Sequence, residues 1–494
     1  MANDPLKGSS NWIMIRTILN KRAGMFGFML QLLVILLFPP KVMAHASEQS
    51  FVLLLPTEIY STIGVIIVLL TIILLFIIPE GFSHKFCSFS VPLFRFNFPA
   101  KYQNSLSLVS TLLFGFLIYS GLFGTNNPLT NLLPVFIWTI WWMIIFTLQG
   151  ILGNIWSSLN PWSGFYNLFL RPYLPAPVLN LPQRWGSWPA IIAYICFVAF
   201  LLADPAPDQP VRLAIFAGGY WLYTMICLVL FGEKVWFERG ECFTILFGIL
   251  ARISPLYLGE NKLRLCFPCS RLIVDLHPTF SQSILVLVAL ATSSFDGLNE
   301  TFWWLSTIGI NPLEFPGRSA VILPTILGIL GAILVLVVMF TACLWLGVWI
   351  SRSLVSSGQS PNFVHIFSVL ALSLFPIAFG YHMAHYFPSF LVNIQYAIVG
   401  LSDPFSVGAN YFGLDSHFVT TGFFNTYYSV RAIWLFQGIC IVFGHVLSVV
   451  ICHVMVTRLF AGRKTILYTL IPISVLMILY TTLSLWLLSS PRGV

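Results

Sequence analysis

Charge is what this sequence has least of. Only 8% of its 494 residues are Asp, Glu, Lys or Arg, against roughly 25% in an ordinary soluble domain. That scarcity excludes a soluble enzyme, and with 58% hydrophobic residues it excludes a disordered chain. Soluble-enzyme signatures are missing too. There is no G-x-x-x-x-G-K-[ST] phosphate loop, no H-E-x-x-H and no G-x-S-x-G. No short-period repeat, low-complexity tract or sizeable soluble domain interrupts the chain. A net charge of +8 does not point to nucleic acid, because the basic residues sit in short loops between apolar runs.

Apolar length is what the chain has instead. Mean hydropathy is +0.90, with 45 Phe, 16 Trp and 17 Tyr. A membrane-crossing helix needs about 20 apolar residues. The pattern predicts an all-α fold, a polytopic transmembrane helical bundle with about ten spans after an N-terminal signal-like segment. The spans fall near 57–79, 105–124, 132–153, 188–203, 212–231, 279–296, 321–350, 363–387, 431–457 and 465–488. The short apolar segment 243–257 carries Arg252 and reads as interfacial or re-entrant. Residues 388–430 read as the longest outer connection.

The N-terminus has the order of a secretory signal. Lys7, Arg16, Lys21 and Arg22 precede an apolar stretch from Met25 to Phe38, then Pro39, Pro40 and Val42-Met43-Ala44. Residues 1–44 are therefore a signal peptide or an uncleaved leader helix, and 45–494 a single transmembrane helical domain. Cleavage after Ala44 leaves His45 as the mature N-terminus, and cleavage after Ala46 removes it.

Of the 24 basic residues, 15 fall in loops after odd-numbered spans and 5 on the other side. The positive-inside rule then places the mature N-terminus outside, in the bacterial inner (cytoplasmic) membrane. None of the nine cysteines falls in an extracytoplasmic loop of this topology, which argues against structural disulfides. Cys266 and Cys269 form a lone C-x-x-C, compatible with redox activity, half of a zinc site, or chance.

The histidines carry most of the candidate chemistry. His382 and His385, in YHMAHYFP, share one helix face and could give two ligands to copper, zinc or iron. If cleavage follows Ala44, the amine and imidazole of His45 could complete the site. Otherwise these histidines bond to water and backbone. His417, Asp403 and Asp415 are also predicted on the outer side, with Asp403 or Asp415 orienting a ligand. Asp296 and Glu300 lie in SSFDGLNE just outside the sixth span, either as a cation or acid–base site or as a solvated Asp-Gly turn. His445 falls near the midplane of the ninth span and His453 lies about 12 Å further along it. His445 reads as a haem ligand, a proton relay or a packed polar contact. The candidate catalytic residues are Asp296, Asp403 and His445.

Several segments together resemble one family. They are Ala44-His45-Ala46, ILGNIWSSLNPW at 151–162, FGILARISPLY at 247–257, SSFDG at 293–297, YHMAHYFP at 381–388, SDPF at 402–405, FGHVLSVVICHV at 443–454 and LMILYTTLSLWLLSSP at 476–491. The chain resembles the bacterial integral-membrane family that carries the name fenitrothion hydrolase. That resemblance implies hydrolysis of an organophosphate triester. It departs from the family after SDPF, where Ser406-Val407-Gly408-Ala409-Asn410 stands in place of a stretch with arginine and tryptophan.

Two functions are therefore expected in competition. One is a metal-dependent hydrolase with its site at the outer face. The other is a transporter or metal-handling protein in which histidines at three depths carry a cation or proton. A structural subunit bound to a partner membrane protein is the third. The lipid bilayer is the expected partner in each case, and the substrate is unknown.

Overall fold

The computed structural model describes residues 55–78, 85, 87–95, 100–174, 176–259, 262–274, 278–354, 361–414 and 418–492. The leader, His45, Asp415 and His417 lie outside them. Among the described residues, ten helices are long and apolar enough to cross a membrane. They are Thr57–Ile77, Tyr102–Phe123, Leu132–Leu152, Gln183–Ala203, Pro210–Phe231, Phe280–Asn299, Arg318–Leu354, Phe363–Ser402, Tyr427–Leu459 and Arg463–Ser489. Each overlaps one of the ten expected spans, so the chain is an all-α polytopic bundle.

Contacts between connections show that successive spans alternate in direction. Strand β1 (Ser90–Arg95), after the first span, pairs antiparallel with β3 (Lys262–Cys266), after the fifth. Strand β2 (Leu256–Gly259) flanks β3, giving the order β1-β3-β2. Arg458, ending the ninth span, donates to the carbonyl of Ile273 at this same end. At the opposite end, Arg318 donates to the carbonyls of Leu201 and Leu202, and Ser406 to that of Thr130. Odd-numbered connections thus meet at the sheet end and even-numbered ones at the other.

The spans differ in how far they withdraw from lipid. The most apolar stretches of the sixth, eighth and ninth are 83%, 78% and 67% buried, against 28% for the first and 22% for the second and seventh. Exposed Ile59, Leu70, Leu112 and Leu334 on those peripheral helices face hydrocarbon. The sixth, eighth and ninth form the axis. The eighth and ninth cross closely because Gly380 and Gly444 lack side chains. A Cβ at Gly380 would overlap the carbonyl of Cys440, and one at Gly444 would lie 2.6 Å from that of Pro376.

Three local expectations need correction. Residues 388–402 are not loop, because the helix Phe375–Ser402 runs through Pro388. Proline removes the donor for the carbonyl four residues back, here Ala384. Gln437 of the ninth span supplies it at 2.7 Å, and so the helix survives. The eighth span breaks earlier, at Ser373–Leu374, where Ser448 donates to the carbonyl of Ser373 at 2.6 Å. The segment 243–257 is not uniform in structure. It divides into a buried helix, Cys242–Leu250, and strand β2. The third correction concerns Asp296 and belongs to the site.

Candidate functional site

The sixth span starts with a capping box, Thr279 and Gln282 exchanging side-chain and backbone hydrogen bonds, and runs to Asn299. Asp296 therefore does not stand in a solvated turn outside it. It sits on the last turn, buried and aimed into the bundle. Asp-Gly favours a turn locally, but packing against the eighth span overrides it. Gly297 is needed there for space, since a Cβ would overlap the hydroxyl of Tyr381.

The helix Phe375–Ser402 brings two side chains to this carboxylate and a third onto one of them. Tyr386 donates its hydroxyl to Oδ2 of Asp296 at 2.6 Å, and Nε2 of His385 lies 3.2 Å from the same oxygen. With Nε2–H donating, Nδ1 of His385 carries the lone pair. That nitrogen is buried and has no hydrogen-bond partner. Tyr381 stacks on the His385 ring at 5.9 Å and 11°.

His382 is engaged differently. Its Nε2 lies 2.9 Å from the carbonyl of Trp142, and its ring stacks on Phe146 at 3.9 Å. Trp142 belongs to a ten-residue π-helical stretch, Phe136–Ile145, in the third span. Such stretches are rare and often mark functional sites.

Between these groups is a cavity of about 20 Å³, lined by Trp142, Tyr194, Thr292, Asp296, His382 and His385 among others. That is room for about one water molecule. An imidazole fixed by a carboxylate on one nitrogen, with the other unpartnered, is an arrangement for accepting a proton.

The remaining candidates separate from this cluster. His382 and His385 lie midway along the 40-residue helix of the eighth span, at the level of the last turn of the sixth. Asp403 ends that helix roughly five turns beyond His385, about 25 Å away along it. Its oxygens accept from the backbone N–H groups of Val407 and Gly408, so it builds the following turn and does not orient a ligand at the histidines. Glu300 pairs with Arg492 at 3.4 Å and does not join Asp296 in a shared cation site. Among the described residues, no group of three or more His, Cys, Asp or Glu side chains could hold a metal ion. His45 and Asp415, expected near the histidines, fall outside those residues. Cys266, the last residue of β3, and Cys269, in the turn after it, are buried, unbridged thiols. Burial pushes the Cys269 thiol up, and the nearby Cys87 thiol up to about 11, so both stay protonated at neutral pH.

His445 is fully buried in the ninth span. Its Nδ1 lies 2.8 Å from the carbonyl of Ile441, while Nε2 has no partner. Its ring is 6.4 Å from that of Tyr480, whose hydroxyl shares a 2.5 Å hydrogen bond with Ser294. Ser294 stands two residues before Asp296. His453 is buried two turns nearer the sheet end.

Sequence reasoning named Asp296, His382 and His385 but missed Tyr386, Tyr381 and Trp142. A signal for the tyrosines was present. In YHMAHYFP, Tyr381 and His385, and His382 and Tyr386, are each one helical turn apart. Trp142 carries no comparable signal, because its role rests on a backbone carbonyl. No family model, no curated protein and no solved structure matches this chain.

Proposed function

We propose that the chain is a proton-handling membrane protein in which Asp296, His385 and Tyr386 form the proton-accepting end. One observation carries this reading. Asp296 holds His385 through Nε2 and leaves Nδ1 unpartnered beside space for one water. A proton arriving on a water there passes to Nδ1, the water stays behind neutral, and the Asp296 carboxylate stabilises the imidazolium that forms. The cavity has no room for an organic substrate, which favours proton transfer over turnover. Buried ionisable side chains inside a membrane mark ion and proton paths. Ser294, Tyr480, His445 and His453 are the further polar side chains that would carry the proton onward. The charge bias of the loops supports an orientation with the Asp296 end outside, and the family resemblance supports the bacterial inner membrane.

The test is proton entry into proteoliposomes carrying an internal pH dye, driven by a potassium diffusion potential. Acidification above that of empty vesicles, lost on His385→Ala and on His445→Ala, supports the reading. Flux at the level of empty vesicles sinks it.

The same Asp–His pair favours a second reading, since this arrangement also activates water for attack on an ester. With the family resemblance, that makes the chain a hydrolase of organophosphate triesters. A copper, zinc or iron ion on His382, His385 and His45 belongs to this alternative. Nitrophenol release from a triester without proton flux, together with one metal ion per chain by elemental mass spectrometry, would choose it.

A further inference from the structure

The three-stranded sheet takes no part in the proton site, and its two faces differ in kind. Residues directly opposite one another across a ladder share a face. The register Val91–Leu265–Leu256 and Phe94–Leu263–Leu258 therefore makes one face wholly apolar. On the other face Arg264 stands between Pro92 and Tyr257, and Arg95 stands directly opposite Lys262 at the end of the ladder. We propose that the sheet seats an anionic phospholipid, with Arg95 and Lys262 holding its phosphate and the leucine face turned to acyl chains.

Three observations lead there. First, the apolar face is uncovered at the level where a span leaves the membrane. Val91, Phe94, Leu258 and Leu265 are 41%, 56%, 44% and 38% exposed. A contiguous apolar face of this kind marks an interaction surface. Ser254, two residues before β2, donates to the carbonyl of Ile151 at 2.6 Å, and the third span ends at Leu152. The bilayer surface therefore reaches the sheet. Second, the cations at the end of the ladder lack a counter-ion. Arg95 is exposed and Lys262 half-buried, and like charges directly opposite are destabilising. Among the described residues, no ion pair joins either to an acidic side chain. Their neighbours are engaged, since Arg264 donates to the Ser90 hydroxyl at 2.9 Å and Arg271 lies 3.9 Å over the Tyr257 ring. A phosphate between Arg95 and Lys262 would remove their repulsion. Third, the two connections that build the sheet, 79–101 and 251–276, carry seven Lys and Arg against three Asp and Glu. Basic clusters beside a span attract anionic headgroups, and long cationic side chains reach headgroup level while their stems stay on apolar surface. A nucleic acid could meet the same charges, but it would leave the leucine face in water. A lipid satisfies both faces.

The full chain in a non-ionic detergent is titrated at low salt with dioleoylphosphatidylglycerol, with dioleoylphosphatidylcholine and with glycerol phosphate, and bound lipid is counted by native mass spectrometry. Saturable binding of the anionic lipid, tighter than that of the choline lipid, is expected. Arg95→Gln should weaken it about fivefold, and Arg95→Gln with Lys262→Gln about 25-fold, the effect of one and of two cations at a membrane surface. Arg184→Gln, which removes an exposed cation from another connection, should leave it unchanged. Equal affinity for the two lipids overturns the proposal. So does an undiminished preference in the double variant, or an equal loss in Arg184→Gln, which would mean that overall charge alone attracts the lipid. Glycerol phosphate binding as tightly as the lipid would make this a site for a free anion, and single-stranded RNA binding more tightly would make it a nucleic-acid surface. Either result overturns the lipid. Arg95 is exposed, so its single substitution keeps the test if the double variant does not fold.

Discussion

Asp296→Asn is the substitution that reaches furthest into the proposed proton site. It keeps the volume of the side chain and the acceptor for Tyr386, so the helix packing around Gly297 and Tyr381 has no steric reason to change. What it removes is the charge that favours the protonated form of His385. A hydrogen bond to a charged group contributes about 1.5–3 kcal/mol. At about 1.4 kcal/mol per factor of ten, loss of that contact corresponds to a roughly 10- to 100-fold slower proton transfer. Initial acidification of dye-loaded proteoliposomes under a fixed potential should slow by the same order. Tyr386→Phe removes only the neutral donor to the same oxygen, worth about 1 kcal/mol, and should slow it about fivefold. The ordering of the two is the discriminating result. A correctly folded Asp296→Asn protein that acidifies vesicles at the wild-type rate refutes the role of the carboxylate. Equal effects of the two variants would mean that packing, not charge, was disturbed.

Three further outcomes follow from the geometry. Gln437→Leu leaves the carbonyl of Ala384 buried without a donor, and should cost about 1–3 kcal/mol, read as a lower midpoint in thermal unfolding of the detergent-solubilised protein. Gly297→Ala forces the Tyr381 ring off His385. It should destabilise the protein by about 1–3 kcal/mol and reduce proton flux, whereas Gly331→Ala, where the added methyl meets open space, should do neither. Gly380→Leu drives a side chain into the backbone of Cys440 at the crossing of the eighth and ninth spans, and should abolish folded protein on size-exclusion chromatography.

The span pattern was legible because lipid imposes a length and a hydropathy that the chain states openly. The parity of the connections was legible from arginine and lysine alone, and the β1–β3 pairing and the Arg458 and Arg318 contacts agree with it. Less legible was anything decided by contact between distant spans. Asp-Gly at 296–297 looks like a turn until Tyr381 is placed against it. Residues 388–402 look like a connection because Pro388 ends a helix in isolation, and only Gln437, 53 residues from Ala384, explains why it does not. The sheet was missed because SVPLFR and KLRLC are short, carry little alternation, and gain their partner only when the connections after the first and fifth spans meet at one end of the bundle.

The polar groups of the axis are also the reason to prefer a proton over a larger cargo. A helix broken inside a membrane exposes backbone carbonyls, and these need donors from neighbouring helices. Here Ser448 holds the break at Ser373, Gln437 holds Ala384, and Ser283 donates to the carbonyl of Ser368 at 2.7 Å. All three tie the eighth span to the sixth or ninth within the stretch that carries His382 and His385. Opening a path for a substrate beside His385 would break these bonds in a medium that offers no replacement. A proton needs no such opening. It requires only a titrating nitrogen, a water and a fixed carboxylate, and those are the groups that meet in the cavity at Asp296.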